Sequence, residues 1–447
     1  MAPQNELSRR DLMKGAGGAA LSVSLTGCQS IGGNGGTGNG NNNGQNGDVD
    51  GSQIPDEPVE LAFFGFQSGP ASVFGVPFLN AARLIVDEIN SNGGILGERK
   101  INASYYDEAA GTGQMVSQVR SLKSQGKADA VIGFISSGNM LAVAPVAESI
   151  GQLTLFGDAG SYKLFEENPD PKFIFRPYGG HLSVGSAGAA QLIAKNMPDV
   201  KRVAGINQDY AWGHDAMRIF REKLKALRPD IEIVADRYSK FPSTKYTSHI
   251  TALKSANPDL VFTSHWGGGL VALIRQAASQ GLTDQAQFVS NCGEHMLQQM
   301  GNDIPEGLLV GARGPYYHEH HPNWPMNDAF VSAFHDRFDS YPIYPSYHMR
   351  NTIMAYVGGV ERAYNLTGKW PSQEQVATAL ESGSGYQSPT GFVSMPGHQG
   401  KSSGIYGYTT LSQEDNKDFA TLTDRTVIPA DQVNPPQGMN TEEWAQN

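Results

Sequence analysis

At 447 residues the chain is longer than one hydrophobic core usually spans, so two domains are expected. Charged residues make up 17% and hydrophobic ones 39%, as in a soluble globular protein, and a net charge of -11 argues against nucleic acid, which needs a basic patch. With 2 cysteines there is no disulfide framework.

The first residues read as an address. Ser8-Arg9-Arg10-Asp11-Leu12-Met13-Lys14 matches the twin-arginine export pattern. The weakly apolar run 16–26 is too short to span a bilayer. Leu25-Thr26-Gly27-Cys28 matches a lipobox, in which cleavage leaves Cys28 as a lipidated N-terminus; the alternative is a chance cysteine in a plain signal peptide. Lipidation would leave Cys292 unpaired. Residues 1–28 are thus read as a signal peptide and 29–57 as a tether. The Gly/Asn-rich stretch looks like a phosphate loop only superficially, because no strand precedes it and no helix follows. As coil the tether would reach on the order of 30 Å.

Residues 61–64 form an apolar run suited to a buried strand, followed by a loop over 65–76 and a helix with Pro77 in its first turn. Phe78, Ala82, Ile85, Val86 and Ile89 share one helical face, and Gly93-Gly94 stops the helix. Residues 101–106 read as the next strand. In open α/β sheets, ligands bind beside loops at the carboxyl ends of strands. The loop with Ser68, Gly69, Pro70, Ser72 and Phe74 is therefore the first candidate.

The alternation continues. A helix carries Met115, Val116, Val119 and Leu122; strand 130–133 leads into Ser136-Ser137-Gly138-Asn139; a helix covers 141–150; strand 153–156 leads into Gly157-Asp158-Ala159-Gly160. After the extended run 173–177, helices are expected at 185–196, up to 227, 246–255 and 270–280. Strands are expected at 202–206, 231–235, 260–263, 288–290 and 308–310. Helices at 328–340, 346–364 and 372–381 follow a loop over 313–325.

Ser68-Gly69-Pro70, Gly75, Ala81, Ile89-Asn90, Gly93-Gly94-Ile95, Gly97 and Asp107 form an ordered set that resembles the type I solute-binding proteins of ABC transporters. More narrowly, it resembles the branched-chain amino acid, amide and urea group. Phe173-Ile174-Phe175-Arg176-Pro177 is similar to the family's "fxR" crossing, Asn257-Pro258-Asp259 to its strand-entry turn, and Thr390-Gly391-Phe392-Val393-Ser394 to a strand that returns to the second lobe. The resemblance spans 59–410. It implies an α/β fold of two Rossmann-like lobes with parallel central sheets and a multi-strand hinge. The expected division is lobe I at 58–177 and 313–388, and lobe II at 178–312, with its return and the C-terminal tail at 389–447.

The same resemblance assigns site residues. Phe74 would lie over the ligand, or pack near the hinge. Ser136 and Ser137 would hold a carboxylate or amide, or simply make a turn. Asp158 and Ala159 would meet the polar head; Asp158 would attract an ammonium or amide N–H, or cap a helix. Trp212, His265 and Trp266 would face them from lobe II, the two indoles forming a cage or packing in a lobe core. Amino acid binders use a carboxylate after the strand matching 288–290; here Asn291, Cys292 and Gly293 stand there, with Glu294 slightly later. Tyr347 is a candidate from a lobe I helix start.

His318-Glu319-His320-His321 has metal-ligand residue types without helical spacing, and reads as a solvated loop. Cys292 with Glu294 and His295 is a sequence neighbourhood rather than a nucleophile site. No cofactor or metal is expected. The implied protein is an extracytoplasmic, lipid-anchored monomer that binds an amino acid, amide, urea or small amine and delivers it to an ABC permease and ATPase. A ligand sensor, or less readily an extracytoplasmic hydrolase, is the alternative.

Overall fold

The computed structural model describes residues 54–179, 181–313, 325–389, 391–411 and 418–447. The twin-arginine segment, Cys28, most of the tether and the His318-Glu319-His320-His321 cluster lie outside them. No helix among the described residues is long and apolar enough to cross a membrane.

The first sheet holds β1 (Val59–Gly65), β2 (Ile101–Asp107), β3 (Ala130–Gly133), β4 (Thr154–Phe156) and β5 (Ile174–Phe175), in the order β2-β1-β3-β4-β5. Every pairing is parallel. β1 and β3 are apolar and buried along almost their whole length, as parallel strands covered on both faces should be. The helices between them are α1 (Ser72–Ser91), α2 (Thr112–Ser124), α3 (Ser137–Ile150) and α4 (Lys163–Glu166).

α1 begins ahead of Pro77, which lies inside the helix rather than in its first turn. The reason is a close approach. A Cβ at Gly75 would stand 2.1 Å from the Phe66 carbonyl oxygen, so glycine alone lets the helix wind directly onto the end of β1. The loop therefore shrinks to residues 66–71.

The second sheet has seven strands, in the order β14 (Thr421–Ile428), β13 (Gly404–Thr410), β10 (Leu309–Ala312), β9 (Gln287–Ser290), β8 (Leu260–Thr263), β6 (Arg202–Gln208) and β7 (Glu232–Ser239). Its parallel part comprises β6, β7, β8, β9 and β10. The helices are α5 (Leu182–Asn196), α6 (Ala211–Leu227), α7 (Thr247–Ala256), α8 (Gly267–Ser279), α9 (Leu282–Gln285) and α10 (His295–Met300). The two lobes repeat a detail of construction. Asp129 and Asp259 each precede a central strand, and each carboxylate accepts backbone N–H groups from the neighbouring strand's start, Glu60 in one lobe and Lys201 and Arg202 in the other.

α11 (Met326–Phe338), α12 (Tyr344–Thr367) and α13 (Gln373–Glu381) follow, and α12 packs along α1. Residues 391–395 do not enter the second sheet as the family pattern suggested. They form β12 (Gly391–Met395), which pairs antiparallel with β11 (Ser384–Ser388) in a separate hairpin resting on α12. The chain reaches the second sheet only at β13 (Gly404–Thr410), and β14 (Thr421–Ile428) adds an edge strand. α14 (Ala430–Val433) and α15 (Thr441–Ala445) complete the chain.

The crossing segments pair with one another. Arg176 N–H donates to the His398 carbonyl (2.8 Å), Gly400 N–H to the Arg176 carbonyl (2.9 Å), and Ser402 Oγ to the Gly179 carbonyl (2.7 Å). The lobes are also joined away from these segments. Gly268 N–H donates to the Pro70 carbonyl at 2.8 Å, and Ser161 Oγ to Asp215 Oδ2 at 2.6 Å. Glu442 on α15 accepts from the Tyr162 hydroxyl and pairs with Arg218 of α6.

Candidate ligand cleft

The parallel strands of both sheets end towards one seam, and the chain must leave each strand there before turning into a helix. That arrangement puts Ile135 after β3, Asp158 after β4, Tyr210 and Trp212 after β6, Trp266 after β8, Cys292 after β9 and Arg313 after β10 around one narrow cavity of about 10 Å³, room for about one water. Phe74 from the first turn of α1 and Tyr344 from the start of α12 close it. A wider groove along α8, lined by Val271, Ala272 and Arg275, is open to solvent and offers little enclosure.

Aromatic residues make up half of the lining. Phe74 lies 5.5 Å from Trp266, 5.4 Å from Tyr344 and 5.3 Å from the His295 ring, centroid to centroid. Trp266 donates its indole N–H to the Tyr210 hydroxyl (2.9 Å) and Trp212 donates to the Ser264 carbonyl (2.8 Å). Both indoles therefore have buried polar partners as well as cavity faces, which fixes their orientation.

The charged part is a buried pair. Arg313 Nη2 donates to Asp158 Oδ2 at 2.9 Å and to the Asp158 carbonyl at 3.0 Å, with both side chains almost wholly inaccessible. The guanidinium stands 4.8 Å over the Trp212 ring and 5.2 Å over the Tyr344 ring. The second carboxylate oxygen, Oδ1, lies 2.6 Å from His348 Nδ1, and His348 Nε2 lies 3.0 Å from the Arg313 carbonyl. Burial works to strip the Arg313 proton, but the Asp158 charge outweighs it and holds the guanidinium firmly charged. Burial pushes the Tyr344 phenol well up, and pushes His348 down against the opposing pull of Asp158.

Of the residues singled out in the sequence, Phe74, Asp158, Trp212 and Trp266 line this cavity. Asp158 caps no helix among the described residues; both its oxygens face protein donors. Ser136 and Ser137 lie beneath the lining: the Ser136 hydroxyl caps α3 by accepting from Asn139 N–H, and Ser137 Oγ accepts from Ser161 N–H at 3.2 Å. The Ala159 carbonyl accepts from the Tyr178 hydroxyl (2.7 Å). His265 is buried behind the cavity, against Ser239 Oγ (2.8 Å) and Thr263 Oγ1 (2.9 Å), and burial pushes its pKa down to about 3. Glu294 accepts the Tyr344 backbone N–H and so ties the second lobe to the start of α12. Tyr347 points its hydroxyl at Asn327 Oδ1 (2.7 Å) and packs on Phe330.

Sequence reasoning missed Arg313, Tyr344, His348, Tyr210 and Glu108. Tyr344 lines the cavity where Tyr347, one turn later on α12, does not. Arg313 carried a usable signal, a single cation ending an apolar strand. Glu108 is buried beside the cleft, its carboxyl accepting Ile135 N–H (2.7 Å) and Ser136 N–H (3.1 Å), and burial raises its pKa to about 8. Cys292 lines the cavity with Sγ against the Ser264 and His265 carbonyls, and burial pushes the thiol up to about 12. A thiol so firmly protonated is a poor nucleophile. Among the described residues, no group of three metal-ligating side chains comes together.

The periplasmic binding protein family profile matches residues 58–408. The leucine-specific-binding protein of Salmonella typhimurium is 25% identical over 277 residues, which cover 62% of this chain and 72% of that protein. The Leu/Ile/Val-binding protein of Escherichia coli is 24% identical over 280 residues, 63% of this chain and 74% of that protein. A Rhodopseudomonas palustris solute-binding protein in complex with 4-hydroxybenzoate superposes with a TM-score of 0.71 at 19% identity, covering 84% of this chain and 98% of that one. A Burkholderia mallei periplasmic binding protein gives a TM-score of 0.74 at 16% identity, covering 85% and 97%.

Proposed function

The chain belongs to the periplasmic binding protein family, and from that premise we propose that it is the extracytoplasmic solute-binding component of an ABC importer. It binds a small polar organic molecule between its lobes and presents the closed form to a membrane permease and its ATPase. The curated relatives named for leucine, isoleucine and valine binding support an amino acid or amide-like solute. The convergence of both sheets' strand ends on one aromatic-lined seam, with the Arg313–Asp158 pair in it, carries this reading. The space now admits about one water, so in this reading a solute enters when the lobes part and is enclosed when they close, with a few polar groups to orient it. Closure then needs no chemistry: ligand bound to both lobes stabilises the closed population.

No catalysis is proposed, because the relatives are named for binding. In this reading Cys28 carries the lipid anchor, and residues 29–57 let a monomeric binding unit turn above the membrane.

Thermal denaturation against amino acids, amides, urea, small amines and organic acids tests the proposal. A true solute at one hundred times its dissociation constant should stabilise the protein by about 2.7 kcal/mol and be recovered unchanged. Chemical conversion of the solute, or no stabilisation by any class, would contradict it.

A further inference from the structure

We infer that the C-terminal segment from β14 onward is a strap laid over the chain crossings, and that it sets the balance between open and closed lobes before any solute arrives. The inference goes beyond the binding reading above and needs of it only that the lobes part.

The strap is an addition to the family pattern. The family profile ends at residue 408, and β14, α14 and α15 all follow it. Its course runs from the second lobe across the crossings. β14 pairs with β13 at the edge of the second sheet. α14 packs on α5, where the Val433 carbonyl accepts from the Ser183 hydroxyl. The next two residues lie on a crossing. Asn434 Nδ2 donates to the Ser402 carbonyl at 2.9 Å, and Lys401 Nζ stands 3.5 Å from the Pro435 carbonyl. Ser402 in turn holds Gly179 of the other crossing.

Beyond the crossings, α15 sits where the lobes meet. Asn440 caps it by accepting from Glu442 N–H and Glu443 N–H. Its anchor is in the second lobe: Trp444 is buried under Lys223 of α6, and Glu442 pairs with Arg218. Its other bonds reach the first lobe. Thr441 N–H donates to Glu166 Oε1 at 3.1 Å, and Glu442 accepts from the Tyr162 hydroxyl. Glu166 ends α4 and Tyr162 precedes it, so both belong to the first sheet's lobe. Arg218 also donates to the Tyr162 oxygen at 3.3 Å. Beside them, Ser161 Oγ and Lys163 Nζ reach Asp215 of α6 at 2.6 and 3.3 Å.

None of these residues lines the cavity. Their bonds form only while α4 faces α6 and α15, and water replaces them when the lobes part, so each favours the closed state modestly. While open molecules predominate, the factor by which the strap favours closure carries over to the affinity for any solute that closure encloses. The strap thus tunes affinity without touching the solute.

The test uses the solute-free, full-length mature chain with Cys28→Ser, spin-labelled at Val76→Cys on α1 and Thr244→Cys ahead of α7, both exposed; Cys292 is buried and stays unlabelled. Double electron–electron resonance then reads the short and long distance populations across the mouth. Two variants each remove one donor across the lobes. Tyr162→Phe keeps the ring and loses the hydroxyl. Thr441→Pro loses the N–H at the first position of α15, where proline suits a helix. Each should lower the short-to-long ratio by about 5-fold. Lys201→Gln, which breaks an ion pair with Asp230 inside the second lobe, should leave the ratio unchanged. An unchanged ratio in both strap variants, with melting like wild type, would overturn the strap and leave the solute-binding reading standing. Equal shifts in all three variants would also overturn it, as a general loosening. One fixed distance in wild type and every variant would show lobes that do not part, and would count against binding by closure as well.

Discussion

Asp158 shows what a single position in the chain can and cannot announce. Its place in a Gly-rich loop after a strand marked it as a cleft residue, and there it lies. Its partners were not legible, because Arg313 is 155 positions away and His348 is 190. Only the closing of both sheets onto one seam brings the three together. The same holds for Tyr344 against Tyr347: both begin the same helix, and a one-turn difference in phase decides which ring meets the cavity. Glu108 was invisible for a similar reason. Burial holds its pKa near about 8, against 4.5 ordinarily. Between these values the folded state keeps a proton that the unfolded chain has released, so this group's contribution to stability weakens as pH rises through that window. Glu108→Gln should remove the slope. Denaturant melts at about pH 5 and about pH 8 should show the variant gaining on wild type at the higher pH; an identical difference at both would mean that Glu108 is ionised in the fold.

The βα alternation was readable because its period and punctuation are strong: apolar runs for the strands, one-sided apolar faces for the helices, and glycines at their ends. What failed was the assignment of elements whose partners are remote. α1 starts early because Gly75 permits contact with Phe66, a fact about packing that a loop rich in Ser, Gly and Pro conceals. Residues 391–395 alternate as a strand should, but alternation does not say which sheet a strand joins. The polar C-terminal stretch gave no pattern, yet it supplies β14 and α15. Trp444 is buried against α6, with Lys223 Nζ 4.8 Å from its ring centre, and Glu442 connects Tyr162 to Arg218. Trp444→Ala should therefore destabilise by about 3 kcal/mol, the scale of an aromatic truncation in a packed site. Glu442→Ala, whose ion pair is over a third exposed, should cost under about 1 kcal/mol. Equal, negligible losses in equilibrium denaturation would show that α15 is not packed on α6.

At the scale of the whole molecule, the two sheets are similar units facing each other across strand ends, joined by chain crossings that pair with one another at Arg176 and residues 398–400. The faces meet through Gly268 with Pro70, Ser161 with Asp215, Trp266 against Phe74, Arg313 with Asp158, Glu294 with the start of α12, and Glu442 with Tyr162 and Arg218, among other contacts. Such a seam can open without unfolding either lobe, and a solute that touches both lobes would add to the closed side alone. The most direct check is small-angle scattering of the mature protein with and without a solute shown by calorimetry to saturate it. The account predicts a smaller radius of gyration and a more compact pair-distance distribution in the saturated protein. Superposable curves for the free and saturated protein would contradict binding by closure of the two lobes.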